Sequence, residues 1–289
     1  MKQSGLLGMT AGALAVIALS ACQSTVQTTS GSDYLDRYQA DATRAGAGPI
    51  DPDIRRAANV EPILNFPARI GIARIDNGGL SPIPEIEGRA WLDLAERLGP
   101  SWGEFVPVSP LVVALATSET TSAPAYSRCR GRHAGCAVEV VNAIRLGAAR
   151  QHLDVVLIYE VNSRGEITSN PLAIANYTII GLYIFPSRNV EADGTAQALL
   201  VDVRNGYTYG AASAVTEDAA FTLSTWANDR DAKLEVEHEA KSAAALELVP
   251  QVEAMALKLR QDLADARLRR ESGADRGVDP EETALSLSE

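Results

Sequence analysis

The chain has few of the residues from which enzymes build active sites. Its 289 residues include three His and three Cys, and Phe, Trp and Tyr together make up 5%. So few aromatic side chains disfavour a surface that binds sugars or bases by stacking. No G-x-S-x-G elbow, S-x-x-K, H-E-x-x-H or phosphate-loop signature occurs in the sequence. The sequence therefore predicts no catalytic residues, no cofactor and no metal ion.

Positive charge is also scarce. The chain has 26 Lys and Arg against 37 Asp and Glu, which gives a formal net charge of −11. A protein this acidic repels phosphate backbones, so we expect no binding to nucleic acid. Hydrophobic residues nevertheless make up 46% of the chain, which is enough for a real core. The length suits one domain with extensions.

The amino-terminal segment has the pattern of an export signal. Lys2 precedes a largely apolar stretch at residues 6–19, which is too short to span a bilayer comfortably. The sequence Leu-Ser-Ala-Cys at residues 19–22 then places small residues before a cysteine, and it resembles the lipobox of bacterial lipoproteins. In that family the chain is cleaved before the cysteine, whose thiol receives a diacylglyceryl group. The alternative is an ordinary secretory signal followed by an incidental cysteine.

Lipid on Cys22 determines where we expect the protein to be. The two or three acyl chains of such an anchor hold a protein durably on a membrane, because each buried methylene contributes about 0.8 kcal/mol. Gln23 rather than Asp follows the cysteine, as in lipoproteins that are sorted to the outer membrane. We therefore predict a signal peptide at residues 1–21 and a lipid-anchored protein of the outer membrane that faces the periplasm.

Composition divides the rest of the chain into four parts. Residues 22–62 are polar and lack a sustained apolar period, which predicts a flexible tether. Residues 63–226 carry strand and helix patterns and form the predicted periplasmic α/β domain. Residues 227–271 predict a long amphipathic helix, in which Pro250 is expected to start a new segment or to cause a kink. Residues 272–289 are acidic and polar, which predicts a disordered tail.

The domain is predicted to be a mixed sheet (α/β, α+β) flanked by helices. Residues 68–75 alternate as a strand should, and apolar residues recur at helical spacing over residues 91–98 before a Gly-Pro pair. Residues 105–108 and 111–113 predict a second strand, which proline interrupts. A second helical face runs over residues 137–152.

The second half of the domain predicts the centre of the sheet and its antiparallel end. Residues 154–161 are apolar through their middle, as a strand covered on both faces should be, so we expect them at the centre of the sheet. Further strands are expected at residues 177–185, 196–203 and 207–215. The Asn-Gly pair between the last two is the strongest short signal for a hairpin, so this end of the sheet should be antiparallel.

The order of these elements resembles that of a group of periplasmic lipoprotein domains. The resemblance rests on the strand at residues 69–75, the helix and strand at residues 145–159, and the hairpin at Asn205 and Gly206. The group includes the amino-terminal domain of the Tol translocation protein, the lipoprotein activators of penicillin-binding proteins and the curli-secretion-type lipoproteins. Rhombotarget lipoproteins are also similar, in their lipobox, their Ala- and Arg-rich helix before an Asp-Val-Val-Leu strand, and their Asp-Val-x-Asn-Gly turn. The resemblance implies a binding or assembly role without a conserved reaction.

One loop holds the two other cysteines. Cys129 and Cys136 flank His133 in a glycine-bearing segment. In an oxidising periplasm two nearby thiols most simply form a disulfide, and closing so short a loop stabilises by about 2.5 kcal/mol. As zinc ligands the three residues would need a fourth group, and none has evident spacing. Redox catalysis is disfavoured because the pair lacks the two-residue spacing of oxidoreductases.

The same loop carries a basic cluster formed by Arg128, Arg130 and Arg132. It could bind an anionic partner such as a glycan or a lipopolysaccharide phosphate. The alternative is a solvated loop that balances a negatively charged domain. His152 is expected at a helix end, where positive charge interacts favourably with the helix dipole.

These features lead to three hypotheses of function. The first is a non-catalytic module, attached to the membrane by its amino-terminal lipid, that binds or scaffolds an envelope protein through the cysteine loop and the long helix. Self-association through that helix would give a homo-oligomer. The second is a component of an export channel related to curli secretion, in which strands between residues 177 and 215 form a membrane hairpin. The third is an envelope enzyme centred on the loop from Cys129 to Cys136. The first is the function that we expect.

Overall fold

A mixed β-sheet with helices on both faces forms the body of the protein. The computed structural model describes residues 23–46, 48–120, 134–169, 188–224 and 229–274. The elements in these ranges are, in chain order, β1 (Gln23–Val26), α1 (Gly31–Ala45), α2 (Pro52–Ala58), β2 (Ala68–Asp76), β3 (Gly79–Ser81), α3 (Glu85–Leu98), β4 (Gly103–Pro107), α4 (Pro110–Thr120), α5 (Ala134–Arg150), β5 (Val155–Ser169), β6 (Arg188–Asp202), β7 (Thr208–Ser224) and α6 (Asp229–Ala274). The chain therefore belongs to the predicted α/β class.

The sheet is parallel in one part and antiparallel in the other. Its strand order is β1-β7-β6-β5-β2-β3, and β4 also pairs with β2. Strand β2 runs parallel to β4 and β5, whereas β5, β6, β7 and β1 pair antiparallel in turn. The prediction that residues 154–161 occupy the centre is confirmed, because β5 lies between β2 and β6. The predicted hairpin is also confirmed, since β6 and β7 are joined by a turn in which Gly206 has a φ of 79°.

Each face of the sheet has its own apolar core. On the first face, α3 and α6 cover the strands, and Trp91, Leu94, Leu248 and Leu259 are 0–1% exposed. On the second face, α4 and α5 pack through Val113, Ile144 and Ala148. Full burial of such side chains contributes roughly 1.5–3 kcal/mol each. Strand β5 supplies residues to both cores, which explains why its sequence is apolar without alternation.

The ends of two helices follow the signals in the sequence. Helix α3 ends at Leu98, and Gly99 takes a φ of 78° as its C-cap. Helix α5 ends at Arg150, and His152 follows with a φ of 56°. The predicted helix end at His152 is therefore confirmed. In the described parts of the chain, no helix combines the length and the hydropathy of a membrane span.

The prediction of a strand at residues 111–113 is wrong. This segment is the start of α4, which has Pro110 as its first residue. Proline suits the first turn of a helix because its missing N–H has no intrahelical partner there. Val113, Ala116 and Thr117 are buried at helical spacing, so the short apolar run belongs to one side of a helix.

One of the two predictions for Pro250 in the long helix, the start of a new segment, is wrong. Helix α6 continues through Pro250 as one element, so the proline does not start a new helical segment. Proline removes one hydrogen bond from the ladder of a helix, and the adjacent Leu248, Val249 and Val252 are buried in the core on the sheet. The predicted apolar stripe is confirmed, since Val252, Met255 and Leu263 are 1–7% exposed.

The prediction of a flexible tether over residues 22–62 is also wrong for the residues that are described. These residues form β1, α1 and α2. Their ends carry recognisable signals: the Ser30 hydroxyl caps α1 and the Asp51 carboxylate caps α2. Strand β1 is held by backbone pairing, which needs no apolar period in its own sequence. The predicted signal peptide, the strand at residues 177–185 and the tail beyond residue 274 lie outside the described residues.

Gly194 marks a close approach of α6 to the sheet. A Cβ atom at this position would lie 2.1 Å from the carbonyl oxygen of Ala240. We predict that Gly194→Ala lowers the free energy of unfolding by about 1–3 kcal/mol, the usual cost of overpacking. Gly48→Ala is the matched control, because no atom lies within 4 Å of its Cβ position. Urea denaturation followed by circular dichroism measures both variants, and equal stability would contradict the close packing.

Candidate functional site

The amino-terminal strand places the predicted lipidation site next to the sheet. Strand β1 begins at Gln23, one peptide bond after Cys22. It pairs antiparallel with β7, starting with Gln23 opposite Ser213 and ending at Gly210. Glycine is needed at position 210, because a Cβ atom there would lie 2.6 Å from the carbonyl oxygen of Thr25. The predicted lipidation site is therefore adjacent in sequence to the first strand of the folded domain.

Side chains and backbone of β7 also hold the residues that follow β1. The Gln27 N–H donates to the carbonyl oxygen of Tyr209 at 2.8 Å. The Tyr207 hydroxyl donates to the carbonyl oxygen of Thr29 at 2.8 Å. Burial raises the pKa of Tyr207, so this hydroxyl keeps its proton at neutral pH. Ser30, which follows, is buried, and the segment is thus part of the domain.

A buried carboxylate at the turn between β6 and β7 holds the stretch before β2. Asp202 is 0% exposed and accepts hydrogen bonds from the Tyr209 hydroxyl at 3.1 Å and from the Arg204 guanidinium at 3.1 and 3.0 Å. The Tyr209 oxygen accepts in turn from the N–H groups of Ile63 and Leu64 at 3.0 and 2.8 Å. Burial, together with the charge of Asp202, raises the pKa of Tyr209. One phenol therefore joins the turn, β7 and the chain that leads into β2.

We predict that Tyr209→Phe loosens the chain before β2 while the sheet stays folded. The substitution leaves two backbone N–H groups without their acceptor, and each unsatisfied buried group costs about 1–3 kcal/mol. Hydrogen–deuterium exchange should therefore become faster at Ile63 and Leu64, while β5 stays protected. Tyr207→Phe is the matched control, because it removes a hydroxyl that bonds to Thr29 instead. Unchanged exchange at Ile63 and Leu64 would contradict this role.

A buried ion pair lies between the sheet and α3. Arg74 of β2 and Glu87 in the first turn of α3 have side chains 3% and 0% exposed, and Arg74 Nε donates to Glu87 Oε2 at 2.9 Å. Tyr159, which is opposite Arg74 on β5, donates its hydroxyl to the same oxygen at 2.7 Å. Burial and the charge of Glu87 raise the pKa of Tyr159. Loss of Arg74 would leave the buried carboxylate of Glu87 without a cation, at a cost of about 3–5 kcal/mol.

A second ion pair extends this cluster to the long helix. Arg74 Nη1 also donates to Asp76 at 3.1 Å and to Ser81 at 2.9 Å. Lys241 of α6 donates to the other oxygen of Asp76 at 2.7 Å. Burial alone lowers the pKa of Arg74, but the charge of Glu87 and the bonds to both carboxylates raise it overall. Two cations thus face two carboxylates, and the cluster fastens α3 and α6 to the sheet.

Asp76 makes the stability that this cluster contributes depend on pH. Burial raises the pKa of Asp76, but the hydrogen bonds and charges of Lys241 and Arg74 outweigh it, so the pKa lies below its ordinary value of 3.8. A carboxyl whose pKa is lower in the folded state contributes stability above the unfolded pKa and loses it as the pH falls through the folded pKa. We predict that Asp76→Asn is less stable than the parent at neutral pH and loses less stability on acidification.

Urea midpoints measured between about pH 7 and about pH 3 check this prediction. Asp53→Asn is the matched control, because the Asp53 side chain is 84% exposed. The control should follow the parent at every pH. An Asp76→Asn variant that loses as much stability as the parent below about pH 4 would contradict the prediction.

An open cleft of about 760 Å³ lies at the carboxyl end of α5. The Arg145 guanidinium on its wall bonds to the carbonyl oxygen of Val203 at 3.2 Å and to Asn142 at 3.4 Å, and its buried Nε has no hydrogen-bond partner. A guanidinium in a cleft can hold a carboxylate or phosphate group. Asp154 and Arg204 line the same cleft, so the opposite charge is present as well. The cleft is a secondary candidate site.

Most of the site residues predicted from the sequence lie outside the described residues. Those outside are Cys22, Arg128, Cys129, Arg130 and Arg132. Cys136 belongs to the first turn of α5, and its backbone alone is described. The lipid, the disulfide and the anion-binding loop therefore stay predictions. Among the described residues, no group of three or more His, Cys, Asp and Glu side chains is arranged to hold a metal ion.

The sequence analysis missed the buried polar residues. Arg74 follows Ile70 and Ile72 at strand spacing, so it occupies the apolar face of β2. A charged residue on such a face needs a buried partner, and this requirement is the signal that could have found the cluster. Nothing in the spacing identifies Glu87 as that partner, since it comes from another element.

Comparisons with known proteins identify no family for the chain. No family model matches the chain, and no curated protein is similar to it in sequence. Among solved structures it is similar to the LpoB C-terminal domain from Salmonella enterica, with 11% identity over 54% of this chain and 86% of that chain and a TM-score of 0.26. A PelC dodecamer from Paraburkholderia phytofirmans is similar with 11% identity over 64% and 91% and a TM-score of 0.24. The lipoprotein GNA1162 from Neisseria meningitidis is similar with 19% identity over 54% and 84% and a TM-score of 0.24. TM-scores this low assign the chain to no family.

Proposed function

We propose that this chain is a lipid-anchored protein of the bacterial outer membrane that acts as a non-catalytic binding or scaffolding module in the periplasm. The observation that supports it is the start of β1 at Gln23, directly after the lipobox cysteine Cys22. Consecutive Cα atoms are about 3.8 Å apart. Lipid on Cys22 therefore holds the sheet at the membrane surface, without a long tether between them.

Attachment without a tether suits a protein that presents a surface to partners in the membrane plane. A long flexible linker lets a domain sample a large volume, which dilutes it with respect to any one partner. A domain fixed at its anchor keeps a narrow range of heights above the lipid. Its effective concentration toward other membrane-bound proteins is correspondingly high.

A binding role fits the chemistry of the described residues better than catalysis does. Charged side chains in the body of the domain pair with one another, as in Arg74–Glu87, Lys241–Asp76 and Arg204–Asp202. A general acid or base must instead be free to exchange a proton with a substrate. An enzyme centred on the loop from Cys129 to Cys136 stays a hypothesis about residues outside the described ranges.

The export-channel hypothesis requires strands near the β6–β7 hairpin to face lipid. In the described parts of these strands, α6 covers one face with Ala232, Val236 and Ala240. The other face exposes Asp193 and Glu217. Charged residues facing lipid destabilise a membrane strand. We therefore favour the scaffolding function over the channel.

The long helix offers a limited surface for a partner or a second copy. Much of its apolar stripe packs on the sheet, where Leu248, Met255 and Leu259 are 0–1% exposed. Leu257 and Leu268 point outward and are 55% and 63% exposed. An envelope protein partner and a homo-oligomer formed through this helix remain predictions. These two leucines are the helix contacts that we expect.

We predict that the parent protein incorporates labelled palmitate in growing cells and that Cys22→Ala does not. The Cys22 thiol and the amino group exposed by cleavage are the positions at which a lipobox protein carries its acyl chains. Cys129→Ser is the matched control, because it removes a thiol and leaves the lipobox intact. Immunoprecipitation and autoradiography measure the label. A parent protein without label, or a Cys22→Ala variant with it, would overturn the proposal.

A further inference from the structure

Strand β7 is much longer than its outer neighbour β1. Strand β1 pairs with residues 210–213 of β7, whereas β7 continues to Ser224. Within the described residues, the outer edge of β7 from residue 214 onward has no strand partner. This edge begins beside Gln23, the residue that follows the predicted anchor. The unpaired part of β7 and the predicted anchor therefore lie at the same edge of the sheet.

Side chains along this part of β7 alternate between the helix and the outside. Ala212, Ala214 and Ala220 are 1–6% exposed and face the core under α6. Val215 and Phe221 have the opposite parity, so they point away from α6. They are 39% and 56% exposed.

We propose that the outer part of β7 from Val215 to Phe221 lies on the phospholipid surface, with both apolar side chains in the interfacial region. This inference rests on the lipidation of Cys22 proposed above. Val215 and Phe221 pair with residues of β6 that are two and six positions from the partner of Ser213, so at about 3.4 Å per residue they lie about 7 Å and about 20 Å from the level of Ser213. An anchor attached next to Gln23 brings this edge to the membrane, because no intervening chain separates the two.

A lipid surface fits this edge better than a protein partner does. The covalent anchor ends at the edge itself, so lipid is always present there, whereas a protein partner must first diffuse to it. Aromatic rings are enriched at the level of the headgroups, where they are half in an apolar environment. Glu217 and Asp193 are exposed on this part of the sheet. Their carboxylates can stay among the headgroups when the strand lies on the surface, whereas a strand that spans the membrane would bring them into the hydrocarbon region. The acidic chain favours zwitterionic over anionic lipid.

Tryptophan placed at position 221 tests the inference. The experiment uses the full-length lipidated protein in phosphatidylethanolamine and phosphatidylcholine vesicles, with and without bromine on the acyl chains. Trp226→Phe provides the background, because the remaining Trp91 and Trp102 are 1% and 2% exposed and give a constant signal. We expect the emission of Phe221→Trp to shift to the blue and to lose intensity in brominated vesicles.

The matched control is Leu257→Trp, since Leu257 on α6 is 55% exposed and lies away from the proposed surface. Its emission should be the same in both kinds of vesicle. Equal quenching of the two variants, or none at position 221, would overturn the inference. Protein that does not sediment with vesicles at all would overturn the anchoring proposal itself. Concentration-dependent dimers without quenching would identify the edge as a site for a second copy and would likewise overturn the inference.

Discussion

Backbone pairing between β1 and β7 is the constraint that joins the amino-terminal end of the described chain to the rest of the domain. Pairing fixes both the place and the direction of a strand, and it does so with polar residues that carry no apolar signal. Strand β7 is bonded to β6 and β6 to β5, so the residue after Cys22 is connected through successive ladders to the buried centre of the sheet. An anchor at this residue therefore holds a rigid body. A chain anchored at the end of a flexible arm would leave its domain free to turn.

Two buried polar clusters keep that body in one arrangement. Tyr209 and Asp202 connect the β6–β7 turn to the chain before β2, and Arg74, Glu87 and Lys241 connect the sheet to α3 and α6. Each cluster joins elements that are distant in the sequence. Removal of one member of such a network is costly, because the buried group that remains loses its partner. These clusters therefore restrict how the helices can shift over the sheet, and the outer surface of the domain keeps a defined shape.

The sequence predicted the parts of the fold that side-chain patterns encode. Strand β5 was found because it is covered on both faces, α3 because Gly99 ends an apolar period, and the hairpin because Asn205 and Gly206 suit its turn. Strand β1 was not predicted because it is held by backbone hydrogen bonds, which leave no pattern of apolar side chains. Helix α4 was misread because a short apolar run fits a strand and a helix equally well. The buried polar clusters were not predicted because their members are distant in the sequence and only the topology of the fold brings them together. The residues with the clearest chemical signal, at Cys22 and Cys129, lie outside the described ranges.

An acidic protein next to a membrane must be oriented by forces other than charge. The net charge of −11 gives no attraction to anionic headgroups, and the acyl chains proposed for Cys22 would supply affinity without favouring one orientation. A single apolar side chain can determine the orientation of a domain that is already attached to the membrane. Phe221 is 56% exposed, so burial of that part of its side chain contributes roughly 0.8–1.7 kcal/mol, which favours one orientation over another by roughly fourfold to twentyfold. Contacts too weak to bind a membrane alone would therefore be strong enough to determine which face of a lipid-anchored domain points away from the membrane.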